Sequence, residues 1–300
     1  MAQRPYVGRL APSPTGDLHQ GIARTFLAAW LDARAHAGRL LLRIEDLDGP
    51  RTVEGAAERI EEDLAWLGLD WDGRSPAQST RDKAYGRAVE ALGARTYPCT
   101  CTRREVWAAS APHADGDEAP RYPELCRPST PGKNGSLHPE RPAALRFRTE
   151  PGEQVAVRDR RRGDRVDDVH AHPGDFVLRR RDGLWAYQLA VTVDDLESGV
   201  SCVVRGEDLW DSAPRQALLR RLLAPEAQPL EWLHLPLALG EDGARLSKRN
   251  GARPIREERA QGVSAAELRG RLAAELGLWP HAEPAELDAL VEAWRIKLRG

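Results

Sequence analysis

Lysine is scarce in this 300-residue chain: Lys83, Lys133, Lys248 and Lys297 are the four, against 44 basic residues in all. The remaining cations are Arg, and with abundant Ala and Gly this points to a genome rich in G and C, not to a function. Net charge is slight as well, -2 at pH 7. No overall basic balance therefore marks the chain for nucleic acid, although local patches matter more than the total. No apolar run reaches the roughly 18 residues that span a membrane. The start, MAQRPYVGRL, lacks the apolar core of a signal peptide. A cytoplasmic protein with no membrane partner is expected. Cysteine is sparse: Cys99, Cys101, Cys126 and Cys202. A secreted disulfide framework does not suit a chain of this length without a signal. What is present, 41% hydrophobic and 30% charged residues, belongs to an ordinary globular protein of one large domain or two to three small ones.

The stretch Arg9 to Arg51 is the densest in information. Tyr6 to Leu10 is apolar and runs into a turn of Pro12, Ser13, Pro14, Thr15 and Gly16. His19 and Gly21 follow, then Ile22, Phe26, Leu27, Trp30 and Leu31 at helical spacing, with Gly38 as the stop. Leu40, Leu41, Leu42 and Ile44 form a buried-type strand that ends in Glu45, Asp46 and Asp48. The unit is strand–loop–helix–strand with polar residues at both carboxyl ends, the edge where an open α/β sheet takes its ligand. A Gly/Pro-rich turn lets backbone N–H groups approach a phosphate, and the helix start presents unpaired N–H groups and partial positive charge. His19 stands where an imidazole could donate to a phosphate oxygen. A plain capped turn is the structural alternative.

Further on, Val53 to Leu67 reads as a helix with Glu58, Glu61, Glu62 and Asp63 on its wet face. Ser79 or Thr80 can cap a helix from Arg81 to Leu92. From Thr96 to Leu145 the Pro and Gly content breaks the α/β rhythm, as an inserted module would. Cys99, Cys101 and Cys126 lie within 28 residues of one another. Three thiolates leave a tetrahedral structural Zn²⁺ one ligand short. Residue chemistry offers His113, on a polar loop with Asp115 and Asp117; three reduced thiols are the alternative. The basic run RDRRRGDR, 158–165, is either a surface hairpin turn or a contact for RNA phosphates. His170 and His172 are ordinary loop residues. Leu189 to Val193 is expected as an apolar strand before Asp194 and Asp195, with Tyr187 and Gln188 ahead of it. Ser201 to Val204 is another strand, ending in Arg205, Glu207 and Asp208, and Ser212 can cap a helix from Pro214. In GEDGARLSKRNGA, Lys248 rides a loop with Gly240, Gly243 and Gly251. Such an ammonium can follow a phosphate as charge builds, on a loop that closes over it. Residues 255–300 are helical in pattern, with a last helix over 285–298.

APSPTGDLHQG resembles the HIGH-type signature of class I aminoacyl-tRNA synthetases in the version of the glutamyl branch, with Ile22 where the tetrad ends in a second His. RIEDLD, YQLAxxxDD and VVRGEDL are similar to other parts of that branch, and RLSKR at 245–249 resembles the KMSKS signature. The resemblance covers about Tyr6 to Asn250. It implies an α/β fold: a Rossmann-type parallel-sheet catalytic domain over 1–95 and 175–240, with an inserted zinc-containing α+β module over 96–174. A KMSKS-type loop and a short helical stem-contact region would fill 241–300, with no anticodon-binding domain. Ending there, the chain looks like the truncated glutamyl-Q tRNA(Asp) branch. That branch makes glutamyl-adenylate from L-glutamate and ATP, with Mg²⁺, and transfers glutamate to queuosine in tRNA(Asp). By the same resemblance Arg9, Ala11, Ser13, Glu45, Tyr187 and Arg205 hold glutamate. Thr15, His19, Gly21 and Lys248 serve ATP, with His19 and Lys248 catalytic. CTCTR followed by Y-x-x-x-C favours Tyr122 as the fourth ligand, beside Cys99, Cys101 and Cys126, of one structural zinc. A monomer is expected. The rival readings are an unusually short glutamyl-tRNA synthetase that charges an acceptor end, and a non-catalytic tRNA-binding module.

Overall fold

A computed structural model describes residues 4–109, 121–130, 132–133, 135, 138–238, 253–280 and 283–299. His113, Asp115, Asp117 and Lys248 lie outside the described residues. The opening unit is β1 (Val7–Leu10), α1 (Gln20–Ala35) and β2 (Arg39–Leu42), with β1 and β2 parallel and Leu10 opposite Leu42. Helix α2 (Ala56–Trp66) leads to β3 (Gly73–Arg74), which adds parallel to β2. Helix α3 (Asp82–Leu92) precedes β4 (Thr96–Cys99) and α4 (Arg103–Ala109). Then come β5 (Ala144–Phe147), β6 (Gln154–Asp159), β7 (Arg165–Asp168) and β8 (Phe176–Arg179). Helix α5 (Tyr187–Glu197), β9 (Cys202–Gly206), α6 (Ala213–Leu223) and β10 (Glu231–Leu235) return to the α/β order, and α7 (Ile255–Ala260), α8 (Ala265–Glu275) and α9 (Leu287–Arg299) end the chain.

Strands β9 and β10 are parallel, and β6 joins β10 in parallel with β7 antiparallel beyond it. The two parallel sheets meet at β1 and β9, where Ser201 N–H donates to Val7 O at 2.9 Å and Val7 N–H donates to Ser201 Oγ at 2.8 Å. Leu10, Leu42, Gly206 and Leu235 thus end their strands at one edge. Strands β4, β5 and β8 form a separate antiparallel sheet. β6 and β7 extend the parallel sheet, and β8 extends the antiparallel one.

Helix α1 is buried along most of its length because both sides are covered: β1 and β9 on one, α8 and α9 on the other. Leu27 and Leu31 share a core with Leu268, Leu272, Leu290 and Trp294. Each fully buried side chain of this kind contributes about 1.5–3 kcal/mol. The C-terminal helices thereby share one core with α1 and the parallel sheets.

Five local expectations need correcting. Asp63, expected on the wet face of α2, is buried and lies 3.2 Å from Arg256. Leu189 to Val193 lies in helix α5, not in a strand. Its residues from Leu189 to Asp195 are all buried, so an all-round apolar helix carries no 3.6-residue stripe to distinguish it from a strand. Gly38 follows the end of α1, but the left-handed residue is Ala37 (φ 49°). Gly38 is required by packing, since a Cβ there would meet Tyr6 at 2.6 Å. Neither Ser79 nor Thr80 caps α3: the Ser79 hydroxyl donates to Asp46 at 2.6 Å and that of Thr80 to Ala77 O at 2.7 Å. Ser212 precedes α6 without a side-chain cap, because its hydroxyl accepts from Gln188 Nε2 at 2.9 Å.

Candidate active site

β1 runs on to β2 in one direction and β9 to β10 in the other, so a crevice opens between their carboxyl ends. Such a switch point is where open α/β sheets bind ligands. The turn after β1 is laced to the extension of β2: Arg43 N–H donates to Leu10 O and Glu45 N–H to Pro12 O, both at 2.9 Å. Gly16 (φ 134°) takes a backbone shape closed to other residues. His19 is extended immediately before α1, and its ring lies over the first helical turn beside Gly21.

A cavity of about 430 Å³ fills this crevice. Arg9, Ala11, Ser13, Thr15, His19, Gly21, Glu45, Tyr187 and Arg205 all line it, residues that the sequence had singled out from four separate stretches. Lys248 is the one candidate of that set outside the described residues. The described chain on either side of its segment borders the site: Ala238 lines the cavity, and Pro254 bridges to His19. Ile22, at the position of the missing second His, also lines it.

The lining arginines, Arg9, Arg24 and Arg205, outnumber the lining carboxylates, Glu45 and Asp208, so the cavity suits an anion. Arg9 ties β1 to β9 by donating from Nη1 to Val204 O at 3.1 Å, with Nε 3.7 Å from Asp195. Glu45 accepts from Arg43 Nη2 at 3.1 Å. Burial pushes its carboxyl up, with Arg43 and Arg9 pulling the other way. Arg205 is 4% exposed and is held entirely by neutral groups. Nε donates to His234 Nε2 (2.9 Å), Nη1 to Gln216 Oε1 (2.8 Å) and Tyr187 Oη (3.5 Å), and Nη2 to Leu209 O (2.9 Å). No carboxylate among the described residues lies in ion-pair range of it, and burial pushes its guanidinium pKa down. A buried cation without a counter-ion is costly unless a ligand supplies one.

Sequence reasoning missed Arg24, which is buried, donates to Pro236 O and lies 3.9 Å from Glu275. Its signal was available: Gly21, Arg24 and Thr25 share one face of α1 at i, i+3 and i+4. His234, Asp159 and Gln216 behind Arg205 gave none. The basic run at 158–165 is largely absorbed internally. Arg160 pairs with the buried Asp32, Arg161 and Arg162 each lie 3.2 Å from Glu207, and Arg165 lies 2.7 Å from Asp167.

A second constellation sits at the end of β4. The Sγ atoms of Cys99, Cys101 and Cys126 lie within 4.8 Å of one another, all buried. Tyr122 Oη is 3.3 Å from Cys99 Sγ and 3.5 Å from Cys101 Sγ. Tetrahedral zinc with thiolates spaces its sulfurs by about 3.8 Å; Cys101 and Cys126 Sγ are 3.3 Å apart, so small side-chain shifts would let three sulfurs and a phenol oxygen surround such an ion. Burial pushes the Cys101 thiol up to about 12 and the Tyr122 phenol up as well. A cation would favour the anionic forms of both.

The family description "tRNA synthetases class I (E and Q), catalytic domain" matches residues 6–277. The chain belongs to this class I synthetase family. Its relatives include the glutamyl-Q tRNA(Asp) synthetase of Deinococcus radiodurans, 48% identical over 96% of this chain and 95% of that one. The protein of the same name from Verminephrobacter eiseniae is 45% identical over 97% and 95%. Among solved structures, the glutamate-tRNA synthetase of Elizabethkingia anophelis superposes with a TM-score of 0.77 at 27% identity, covering 96% of this chain and 65% of that one. A glutamate tRNA ligase from Elizabethkingia meningosepticum, solved with its amino acid, gives 0.75 at 26%, with 64% of that chain covered. Among the described residues no helix is long and apolar enough to cross a membrane.

Proposed function

We propose that the chain is a glutamyl-Q tRNA(Asp) synthetase. It activates L-glutamate with ATP, without tRNA, and transfers the glutamyl group to queuosine in the anticodon of tRNA(Asp). The observation that carries this is the 48% identity to a relative of that name over nearly all of both chains, against 27% to a glutamate-tRNA synthetase. The class of enzyme is a ligase that spends ATP to AMP and pyrophosphate.

In this reading a glutamate α-carboxylate oxygen attacks the α-phosphorus of ATP, the bond to the β-phosphate oxygen breaks, and pyrophosphate leaves. The second step breaks the acyl–phosphate bond as glutamate passes to the RNA and AMP departs. The protein positions the reactants and matches developing charge. Arg205 offers its unpaired charge to the side-chain carboxylate, with the Tyr187 hydroxyl beside it. Glu45 takes the α-ammonium, and Arg9, Ala11 and Ser13 hold the amino acid against the end of β1. Thr15, His19 and Gly21 serve the phosphates at the start of α1, joined by Lys248, and Mg²⁺ arrives with ATP. A zinc held by Cys99, Cys101, Tyr122 and Cys126 fixes the loop after β4 structurally. The division into a catalytic unit, an inserted module over 96–174 and a helical region from 241 belongs to the same reading, as do a cytoplasmic location and a monomeric state.

Incubation with radiolabelled glutamate, ATP and tRNA(Asp) tests the reaction. Label is expected on tRNA(Asp) that carries queuosine and not on the same RNA without it. Label on the terminal adenosine of tRNA(Glu) would overturn the acceptor in favour of a short glutamyl-tRNA synthetase. For the metal, about one zinc per purified chain is expected, and Cys101→Ser should bring it to near zero; unchanged zinc content in that variant would sink the assignment.

A further inference from the structure

Behind Arg205, out of the cavity, stand two buried groups that no step above uses. His234 on β10 is 0% exposed, and Asp159 at the end of β6 is 3% exposed. We infer that His234 and Asp159 are positioning residues: together they hold the Arg205 guanidinium in register for a carboxylate while leaving its charge uncancelled. The inference rests on the reading that Arg205 receives the glutamate side chain.

The geometry fixes the protonation pattern. A guanidinium N–H can only donate. Arg205 Nε lies 2.9 Å from His234 Nε2, so Nε2 must offer its lone pair. The ring proton is then on Nδ1, and Nδ1 lies 2.6 Å from Asp159 Oδ2. Asp159 is itself pinned. Its Oδ2 also accepts from His234 N–H at 3.0 Å, and its Oδ1 accepts from Arg161 N–H (2.9 Å) and Arg162 N–H (2.7 Å). The imidazole is wedged between Trp210 (5.0 Å, edge-on) and Trp232 (5.7 Å, stacked), and the Arg205 guanidinium lies 4.4 Å over the Trp232 ring. A carboxylate selecting one tautomer of a buried His is a known way of fixing what the other nitrogen can do.

The choice of acceptor matters. A carboxylate in place of His234 would orient Arg205 equally well, but it would form an ion pair and compete with the substrate for the same charge. A neutral imidazole accepts the hydrogen bond without neutralising the cation. The charged groups facing His234 are Asp159 from β6, Arg162 from the β6–β7 turn and Arg205 from β9; Arg161 reaches its carbonyl at 3.3 Å. Burial, Arg205 and Arg162 lower the ring's pKa, while Asp159 opposes them, and the balance is below the ordinary His value. The ring therefore stays neutral at pH 7. Only in acid would a proton on Nε2 oppose the Arg205 Nε–H.

Glutamate-dependent pyrophosphate exchange in the intact protein tests this with three variants. His234→Leu keeps bulk and removes the acceptor. Its KM for glutamate should rise about tenfold to a hundredfold, the loss of one hydrogen bond to a charged group, with KM for ATP unchanged. His234→Gln, whose amide oxygen can reach the Nε2 position, should recover most of that loss. Asp159→Asn should behave like His234→Leu, because an amide N–H facing Nδ1 selects the wrong tautomer. In the unmodified protein KM for glutamate should rise as pH falls through the His234 pKa, and His234→Gln should remove that component. Equal KM for glutamate in His234→Leu and the unmodified protein would overturn the proposal. So would equal damage to both KM values in the Leu and Gln variants, since that is a packing effect alone. Nitrogen-15 spectra supply a readout without activity: a protonated Nε2 on His234 at pH 7 would also overturn it. If the unmodified protein shows no exchange with glutamate, the functional reading fails instead, and the spectrum still decides the His234 tautomer.

Discussion

Replacing Arg205 with Ala is expected to lower glutamate-dependent pyrophosphate exchange by two to three orders of magnitude while the protein stays folded. Removing one member of a desolvated charge pair costs about 2–5 kcal/mol, and each ~1.4 kcal/mol is a decade. The loss should fall on glutamate, because the guanidinium is the cation proposed for its side-chain carboxylate, while the turn and helix start are proposed for ATP. Stability should change little, for two opposed reasons. The variant strands the acceptors of His234, Gln216 and Leu209, which now bond Arg205 at 2.8–2.9 Å. It also removes a cation that burial disfavours and that no carboxylate offsets among the described residues. Exchange rates and a thermal melt on the same preparation make the check. Exchange within a few-fold of the unmodified protein would remove Arg205 from glutamate recognition.

Legibility in the sequence follows the range of the interactions. The β1–α1–β2 unit was readable because its signals are local: a Gly/Pro turn, helical spacing from Ile22 to Leu31, and an apolar run into Glu45. Its meeting with Tyr187 and Arg205 is not local, and only the resemblance joined those stretches before the cavity did. Helix α5 was misread because burial on every side erases the period that separates helix from strand. The caps at Ser79, Thr80 and Ser212 failed for a related reason, since each hydroxyl found a distant or competing partner. His234 looked like one polar residue in EWLHL; its meaning comes from Asp159, 75 positions earlier. The Arg-rich run at 158–165 left a hairpin turn and an RNA contact open; it forms the turn between β6 and β7, and its acidic partners are scattered over the chain.

Arg43 carries the largest expected effect on stability. It is 0% exposed at the end of β2, with Nη1 2.6 Å from Asp195, Nη2 3.1 Å from Glu45 and Nε 3.8 Å from Asp194. One guanidinium thus joins the sheet, helix α5 and a wall of the cavity. Arg43→Met keeps much of the volume and strands the carboxylates, and breaking a buried pair from one side costs about 3–5 kcal/mol. Asp194 retains Arg81 at 2.6 Å, Gln78 at 2.7 Å and Tyr85 at 3.0 Å, so the damage falls chiefly on Asp195 and Glu45. The pH dependence has a definite sign. Burial already holds Asp194 and Glu45 above their ordinary values of 3.8 and 4.5, and Arg43 is the largest force opposing that rise in each. Without it both pKa values climb further. A carboxyl raised on folding favours the protonated native state, so stability is fullest below the unfolded pKa and is lost as pH rises through the folded one. Urea unfolding should therefore show a deficit of about 3–5 kcal/mol at pH 7 that shrinks steadily toward pH 5. A deficit under about 1 kcal/mol, the range of an exposed pair, or one that does not vary with pH, would mean that solvent or rearranged side chains neutralise these carboxylates. Arg43 would then not be the residue that holds α5 and Glu45 to the sheet.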